Sequence, residues 1–253
     1  MKSSIDMIKY SGGSFEELIF EDINEIINIG IEDKYIYWIN ITGLHDINMI
    51  KKAGEYFKID AADIQNIVDG SEWSKIEKRD HYLFSILNMI YLKNDSIIHD
   101  HISIVSVNNV LLTFQKSPNE IYQDMKKILF SSTVKRDIGS VYTCLLKTII
   151  QAYSPVMGRF SDMFEILEKE IENAKSKGEE PDKNSIVKVR QELRYLEDAV
   201  TSVKNAIHAS GINEIYFKND PYIINELMQM REALNDFRKK AFTVLFIYPL
   251  PVI

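Results

Sequence analysis

The chain has 253 residues, 45% of them hydrophobic and 26% charged, with a net charge of −7. That is ordinary for a soluble globular protein and long enough for one large domain or a domain with a helical appendage. The acidic balance argues against nucleic acid as a partner, because such binders need a basic face, and it is compatible with attracting divalent cations. The single cysteine, Cys144, cannot close an intrachain disulfide. It lies in Val141-Tyr142-Thr143-Cys144-Leu145-Leu146 and reads as a packed core residue. The N-terminus lacks the apolar core of a signal peptide. The longest apolar run, residues 241–253, holds Pro249 and Pro251 and falls short of the about 20 residues a membrane helix needs. The chain as it stands is expected to be soluble.

Residues up to about Gln115 mix strand and helix signals. Residues 15–20 and 35–41 are rich in β-branched and aromatic side chains, as strands are. Residues 82–92, 97–107 and 110–115 read the same way. Asn108-Asn109 suits a tight turn between the last two, since asparagine tolerates positive φ. Helices are expected at 46–57 and near 61–68, the second with Asp60 as N-cap and Gly70 as its end. Trp73 reads as a partly buried core tryptophan, with a packing or interface anchor as the alternative.

Beyond Asn119 the strand signals stop. Three stretches carry apolar residues at alternating steps of three and four. They are Phe160, Phe164, Leu167, Ile171 and Ala174; then Ile186, Val189, Leu193, Leu196, Val200, Val203 and Ile207; then Ile223, Leu227, Met230, Leu234, Phe237 and Ala241. Each spacing puts one apolar stripe along a helix. Polar loops with Gly178 and Pro181, and with Gly211 and Pro221, separate them, so neighbouring helices should run antiparallel. Pro155 should kink or restart the helix upstream. Glu165, Glu168, Lys169, Glu170 and Glu172 alternate with the first stripe and read as a solvated face.

Enzyme signatures are missing: no Walker loop, no dinucleotide-binding glycine pattern, no nucleophile elbow, no Cys-x-x-Cys and no His-Glu-x-x-His. The chain is therefore not expected to be an enzyme. His99-Asp100-His101 comes closest to a metal cluster. On a strand the two histidines share a face while Asp100 points away, so a polar strand entrance is the simpler reading.

Three blocks stand out. Trp38-Ile39-Asn40-Ile41-Thr42-Gly43-Leu44-His45-Asp46 is the first. Lys75-Ile76-Glu77 running into Tyr82-Leu83-Phe84-Ser85-Ile86-Leu87 is the second. His101-Ile102-Ser103-Ile104 running into Val110-Leu111-Leu112-Thr113-Phe114-Gln115 is the third. In this order and spacing the chain resembles the cytoplasmic domain of the CorA family of divalent-cation channels. The resemblance extends to about Phe237. It implies an α+β fold, an α/β/α sandwich with a mixed sheet, followed by a long antiparallel helical module. The corresponding division is residues 1–130 for cation sensing and 131–253 for the long helices and a truncated stalk helix. The two membrane helices and the Gly-Met-Asn pore motif of the family are not in this sequence.

The resemblance also implies a function: sensing cytosolic Mg2+, or Co2+, Ni2+ or Zn2+, and gating a channel as a homo-oligomer, a pentamer in the family. It places the chain on the cytoplasmic side of the cell membrane, touching the membrane only through a further C-terminal segment. In the family an acidic pair on a short helix faces an aspartate of the neighbouring stalk helix across a bound cation. Here that pair falls on the amides Gln65 and Asn66, and the stalk aspartate on Asn219. Amides bring no charge to offset dehydration of the ion. Asp63, Asp69 and Asp220 lie close by and are candidate substitutes. Trp73-Ser74-Lys75 stands where the family carries Arg-Pro-Lys. Two other readings are a free-standing interaction scaffold that kept the CorA fold and lost transport, and a metal-dependent hydrolase built on His99 and His101.

Overall fold

The computed structural model describes residues 3–11, 14–70, 73–131, 137–179, 182–211 and 222–247. Among them seven strands form one sheet: β1 (Ser4–Ser11), β2 (Ser14–Phe20), β3 (Ile36–Thr42), β4 (Lys75–Lys78), β5 (Tyr82–Lys93), β6 (Ser96–Val107) and β7 (Val110–Gln115). The order is β2-β1-β3-β7-β6-β5-β4. Only β3 and β7 pair in parallel, with Trp38 beside Leu111, Asn40 beside Thr113 and Thr42 beside Gln115. The first and third sequence blocks are therefore the central strand pair.

Side-chain alternation sends β3 residues Tyr37, Ile39 and Ile41 to one core, with Phe84, Leu112 and Phe114. That face is covered by α1 (Ile23–Ile29), α2 (Ile47–Phe57) and α3 (Ala61–Asp69). Trp38, Leu87 and Leu111 go to the other core. It is covered by α4 (Glu120–Ser131), α5 (Ile138–Gln151), α6 (Tyr153–Lys177), α7 (Lys183–Ser210) and α8 (Tyr222–Ile247). The result is the expected α/β/α sandwich followed by long helices.

Local chemistry explains the boundaries. Asp22 accepts from the Asn24 amide while Glu25 reaches back to the Asp22 amide, a capping box that starts α1. Asp46 caps α2 through the Met49 amide. Asn108 takes φ of 50° in the β6–β7 turn, as its type permits. The Asn109 side-chain amide then donates to the Tyr35 and Glu32 carbonyls, tying the turn to the start of β3. Pro155 falls in the first turn of α6, where its missing N–H costs no helical bond, and the chain restarts after Ala152.

The predicted stripes on α6 and α7 are buried from Phe160 to Ala174 and from Ile186 to Ile207, as are Ile223, Leu227, Met230 and Leu234 on α8. Each Val, Ile, Leu, Met or Phe side chain among them contributes about 1.5–3 kcal/mol of burial. Glu165, Glu168, Lys169, Glu170 and Glu172 face solvent. Cys144 is buried. The α8 helix runs through Ile247, so part of the apolar tail is helical, whereas 248–253 lie outside the described residues. Trp73 corrects the sequence reading: 59% of it is exposed. It sits just before the edge strand β4, beside residues of α7.

Beneath α4 the sheet carries a buried polar ladder. Asn40 Oδ1 accepts from Thr113 Oγ1 at 2.9 Å and from Gln115 Nε2 at 3.0 Å. Asn40 Nδ2 donates to Thr42 Oγ1 at 3.2 Å. The Trp38 indole donates to Thr113 Oγ1, and Asn119 Nδ2 to Gln115 Oε1. Asn119 Oδ1 in turn accepts from the Tyr122 amide and caps α4. The ladder thus sets the register of the parallel pair and the start of α4 together.

Candidate functional site

The helix α3 is short, and its pattern decides what each side chain can do. Ala61, Ala62, Gln65 and Asp69 face solvent; Asp63, Ile64 and Ile67 face the core; Asn66 is partly buried. Ile64 packs against Gly54 of α2 so closely that a Cβ at Gly54 would lie 2.3 Å from its Cδ1. Asp60 stands at the N-cap position without a side-chain cap bond. Its backbone N–H instead donates to the Tyr82 hydroxyl at 3.1 Å.

Asp63 has a carboxylate with 0% exposure. Arg79 grips it with two bonds, Nε to Oδ2 at 2.8 Å and Nη2 to Oδ1 at 2.7 Å. Tyr82 Oη donates to Oδ2 at 2.7 Å. Arg79 also reaches Glu77 Oε2 at 2.7 Å, and Lys75 lies 3.8 Å from the same oxygen. Burial alone would raise the Asp63 carboxyl. The bonds from Arg79, Tyr82 and Asn66 and the Arg79 charge outweigh it and hold the group below the usual aspartate range. Burial and the neighbouring Asp63 push the Tyr82 hydroxyl up. This cluster bolts α3 to the β4–β5 turn. Its oxygens are occupied, so Asp63 anchors the helix and offers no open oxygen to a cation.

The remaining candidates divide. Gln65 and Asp69 come together on the exposed face, with Gln65 Nε2 donating to Asp69 Oδ2 at 2.7 Å. Asn66 turns partly inward toward Asp63. Asn219 and Asp220 lie outside the described residues. Of the candidates on α3, Asp69 therefore presents an open carboxylate and Gln65 an open amide carbonyl. Arg79 and Tyr82 are site residues that sequence reasoning missed. Nothing in linear spacing marks a pair 16 residues apart.

His99, Asp100 and His101 do not converge. His99 Nε2 lies 2.7 Å from Glu192 Oε2 of α7, and its ring rests on Tyr195 at 4.9 Å. Asp100 Oδ1 accepts the His101 amide at 2.8 Å. The His101 ring lies over Gly70, the end of α3, and burial holds the ring's pKa down. Among the described residues no three His, Cys, Asp or Glu side chains gather to hold a metal ion. Gly70 has φ of 77°, and a Cβ there would sit 2.8 Å from His101 Cε1. Gly70→Ala is expected to cost about 1–3 kcal/mol from backbone strain and the ring's displacement together. Thermal melting checks the cost, and the His101 ring proton shifts check the displacement.

Among the described residues no helix is long and apolar enough to cross a membrane. The solved cytoplasmic domain of ZntB from Vibrio parahaemolyticus superposes on this chain with a TM-score of 0.73 at 12% identity, over 97% of this chain and 96% of that one. The complete CorA magnesium transporter of Methanocaldococcus jannaschii superposes with a TM-score of 0.67 at 19% identity, over 95% of this chain and 78% of that one. The cobalt/magnesium transport protein CorA of Thermotoga maritima is 22% identical over 96% of this chain and 72% of its own length. The model of the CorA-like Mg2+ transporter protein family matches residues 33–246. With 214 of the 253 residues matched, and with the sandwich and long helices in place, this chain belongs to the CorA-like Mg2+ transporter protein family.

Proposed function

We propose that the chain is a cytoplasmic regulatory domain that senses a divalent cation, Mg2+ foremost, and gates transport by reorienting subunits of a homo-oligomer, a pentamer by family resemblance. No bond is made or broken in this role. The observation that carries the reading is the exposed rim of α3. Gln65 and Asp69 stand together on a helix that Asp63, Arg79 and Tyr82 hold rigidly to the sheet. One carboxylate and one amide make half a site for a hard cation, which prefers oxygen ligands and retains its waters. The other half belongs to a neighbouring subunit, where Asn219 and Asp220 are the candidates. With so little charge, the cation is held mainly through its water shell and weakly.

Light scattering with and without millimolar MgCl2 tests this. The expected result is a larger assembly with Mg2+, reversed by chelation and lost in Asp69→Ala with the fold intact. A mass and melting temperature indifferent to Mg2+ would overturn the sensing role. The amides at Gln65 and Asn66 favour a second reading, a CorA-fold interaction scaffold without transport, and that outcome would leave it standing.

A further inference from the structure

The β5–β6 hairpin outgrows the sheet. The partner β4 reaches only Leu83–Ile86 of β5, and β7 reaches only Ile102–Val107 of β6. The outer part of the hairpin pairs with itself alone and lies between α6 and α7. Between this projection and α7 lies a cavity of about 660 Å³. Its floor is apolar, with Ile90. Its rim carries two large aromatic side chains, Trp73 and Tyr195, 59% and 58% exposed. The Asp198 carboxylate lines the same space beside the Arg194 guanidinium.

These groups are set in place from behind. Ser74 Oγ accepts from the Asn88 amide at 2.9 Å and from Ser202 Oγ of α7 at 3.1 Å, which fixes the backbone next to Trp73 against both walls. Tyr195 leans on the His99 ring, itself held by Glu192. Arg194 and Asp198 are an exposed pair 3.9 Å apart, too long and too solvated to resist exchange. Exposed aromatic faces beside a carboxylate, over an apolar floor, match an organic ammonium ion. The rings attract the cation through their negative faces, the Asp198 carboxylate supplies charge, and methylenes cover the floor. A bare metal ion would gain nothing from the rings and finds no cluster of ligands here.

We propose that the cavity between the β5–β6 hairpin and α7 is a binding site for small aliphatic amines, polyamines among them, with Trp73 and Tyr195 as the aromatic walls and Asp198 as the counter-charge. The wall residue His101 touches Gly70 at the end of α3, so the occupied cavity adjoins the helix that bears Gln65 and Asp69.

Isothermal titration of the 253-residue chain with spermidine at physiological ionic strength tests this. Expected is saturable binding of one spermidine per chain. Trp73→Ala and Tyr195→Ala each weaken it about tenfold. Asp198→Asn also weakens it, and Arg194→Ala tightens it by freeing Asp198. These positions are exposed, and unchanged melting of the variants shows that the fold is kept. Trp38 is buried, so a change in the emission of exposed Trp73 on titration gives a second readout. Binding that all four variants leave alone, or that MgCl2 at equal ionic strength abolishes completely, would be a diffuse ion atmosphere around an acidic chain and would overturn the proposal. No heat and no change in emission would overturn it equally. The oligomeric response to Mg2+ is read separately, so either conclusion can fail alone.

Discussion

Arg79→Ala lowers the free energy of unfolding by about 2–3 kcal/mol, toward the lower end for a broken buried ion pair because Arg79 is itself 30% exposed. For a chain of this size that is a fall in melting temperature of roughly 5–10 °C. The cause is specific. Asp63 stays fully buried and loses two charge-assisted bonds, keeping Tyr82 and Asn66. Arg79→Lys recovers only part of the loss, because a point ammonium cannot make the two-pronged contact. The pH dependence has a definite sign. In the folded wild type the Asp63 carboxyl titrates below its ordinary value of 3.8. A depressed pKa contributes stability that is fully present above 3.8 and is lost as pH falls through the folded value. The gap between wild type and Arg79→Ala is therefore constant near neutrality and narrows in acid, as pH falls through the variant's Asp63 value, which burial without Arg79 raises, toward the depressed value of the wild type. Denaturant titrations at several pH values measure it. A gap that widens in acid would mean that Arg79 acts otherwise. Amide exchange should also rise across α3 in the variant, which is how the bolt would bear on sensing.

Asn40→Ala is the second large effect, about 3 kcal/mol, since it removes a group that serves four neighbours at once, Thr113, Gln115, Thr42 and Asp6. Thr113 and Gln115 lose their shared acceptor, and Thr42 loses a donor, all in a buried layer. Asp6 reports the change locally. Burial already raises its carboxyl, opposed by the bond from Asn40, with Glu17 raising it further. Removing Asn40 should move the Asp6 titration higher still, as carbon-13 titration of its carboxyl would show. The apolar isostere Asn40→Leu should do no better, because the stranded partners remain. A loss under about 1 kcal/mol in either variant would mean that water restores the ladder.

How much of this was legible in the chain depends on the range of the forces involved. The stripes from Phe160 to Ile207 could be read directly, because a helix repeats within a few residues and its buried face must be apolar. The Asn108-Asn109 turn was legible because its backbone geometry favours few residue types. Some local signals were present and went unread. Asp22-x-x-Glu25 spells the α1 capping box, and residues 4–11 alternate well enough for β1 beside a Gly12-Gly13 dipeptide. Trp73 misled because its type favours burial, while its place next to the edge strand leaves it mostly exposed.

The amino-acid sequence by itself determined the class of fold, the family and the long helices, since these rest on local periodicity and on blocks that survive as the β3–β7 pair. It also showed that amides stand at Gln65 and Asn66, a fact of composition that no folding alters. Only the tertiary structure decided what the acids near them do. Asp63 and Asp69 are six residues apart with the same chemistry, yet one faces Arg79 in the core and the other faces water. A helix turning 100° per residue separates them onto different faces. Which face is buried depends on the sheet it lands on, and that is set by the packing of distant strands.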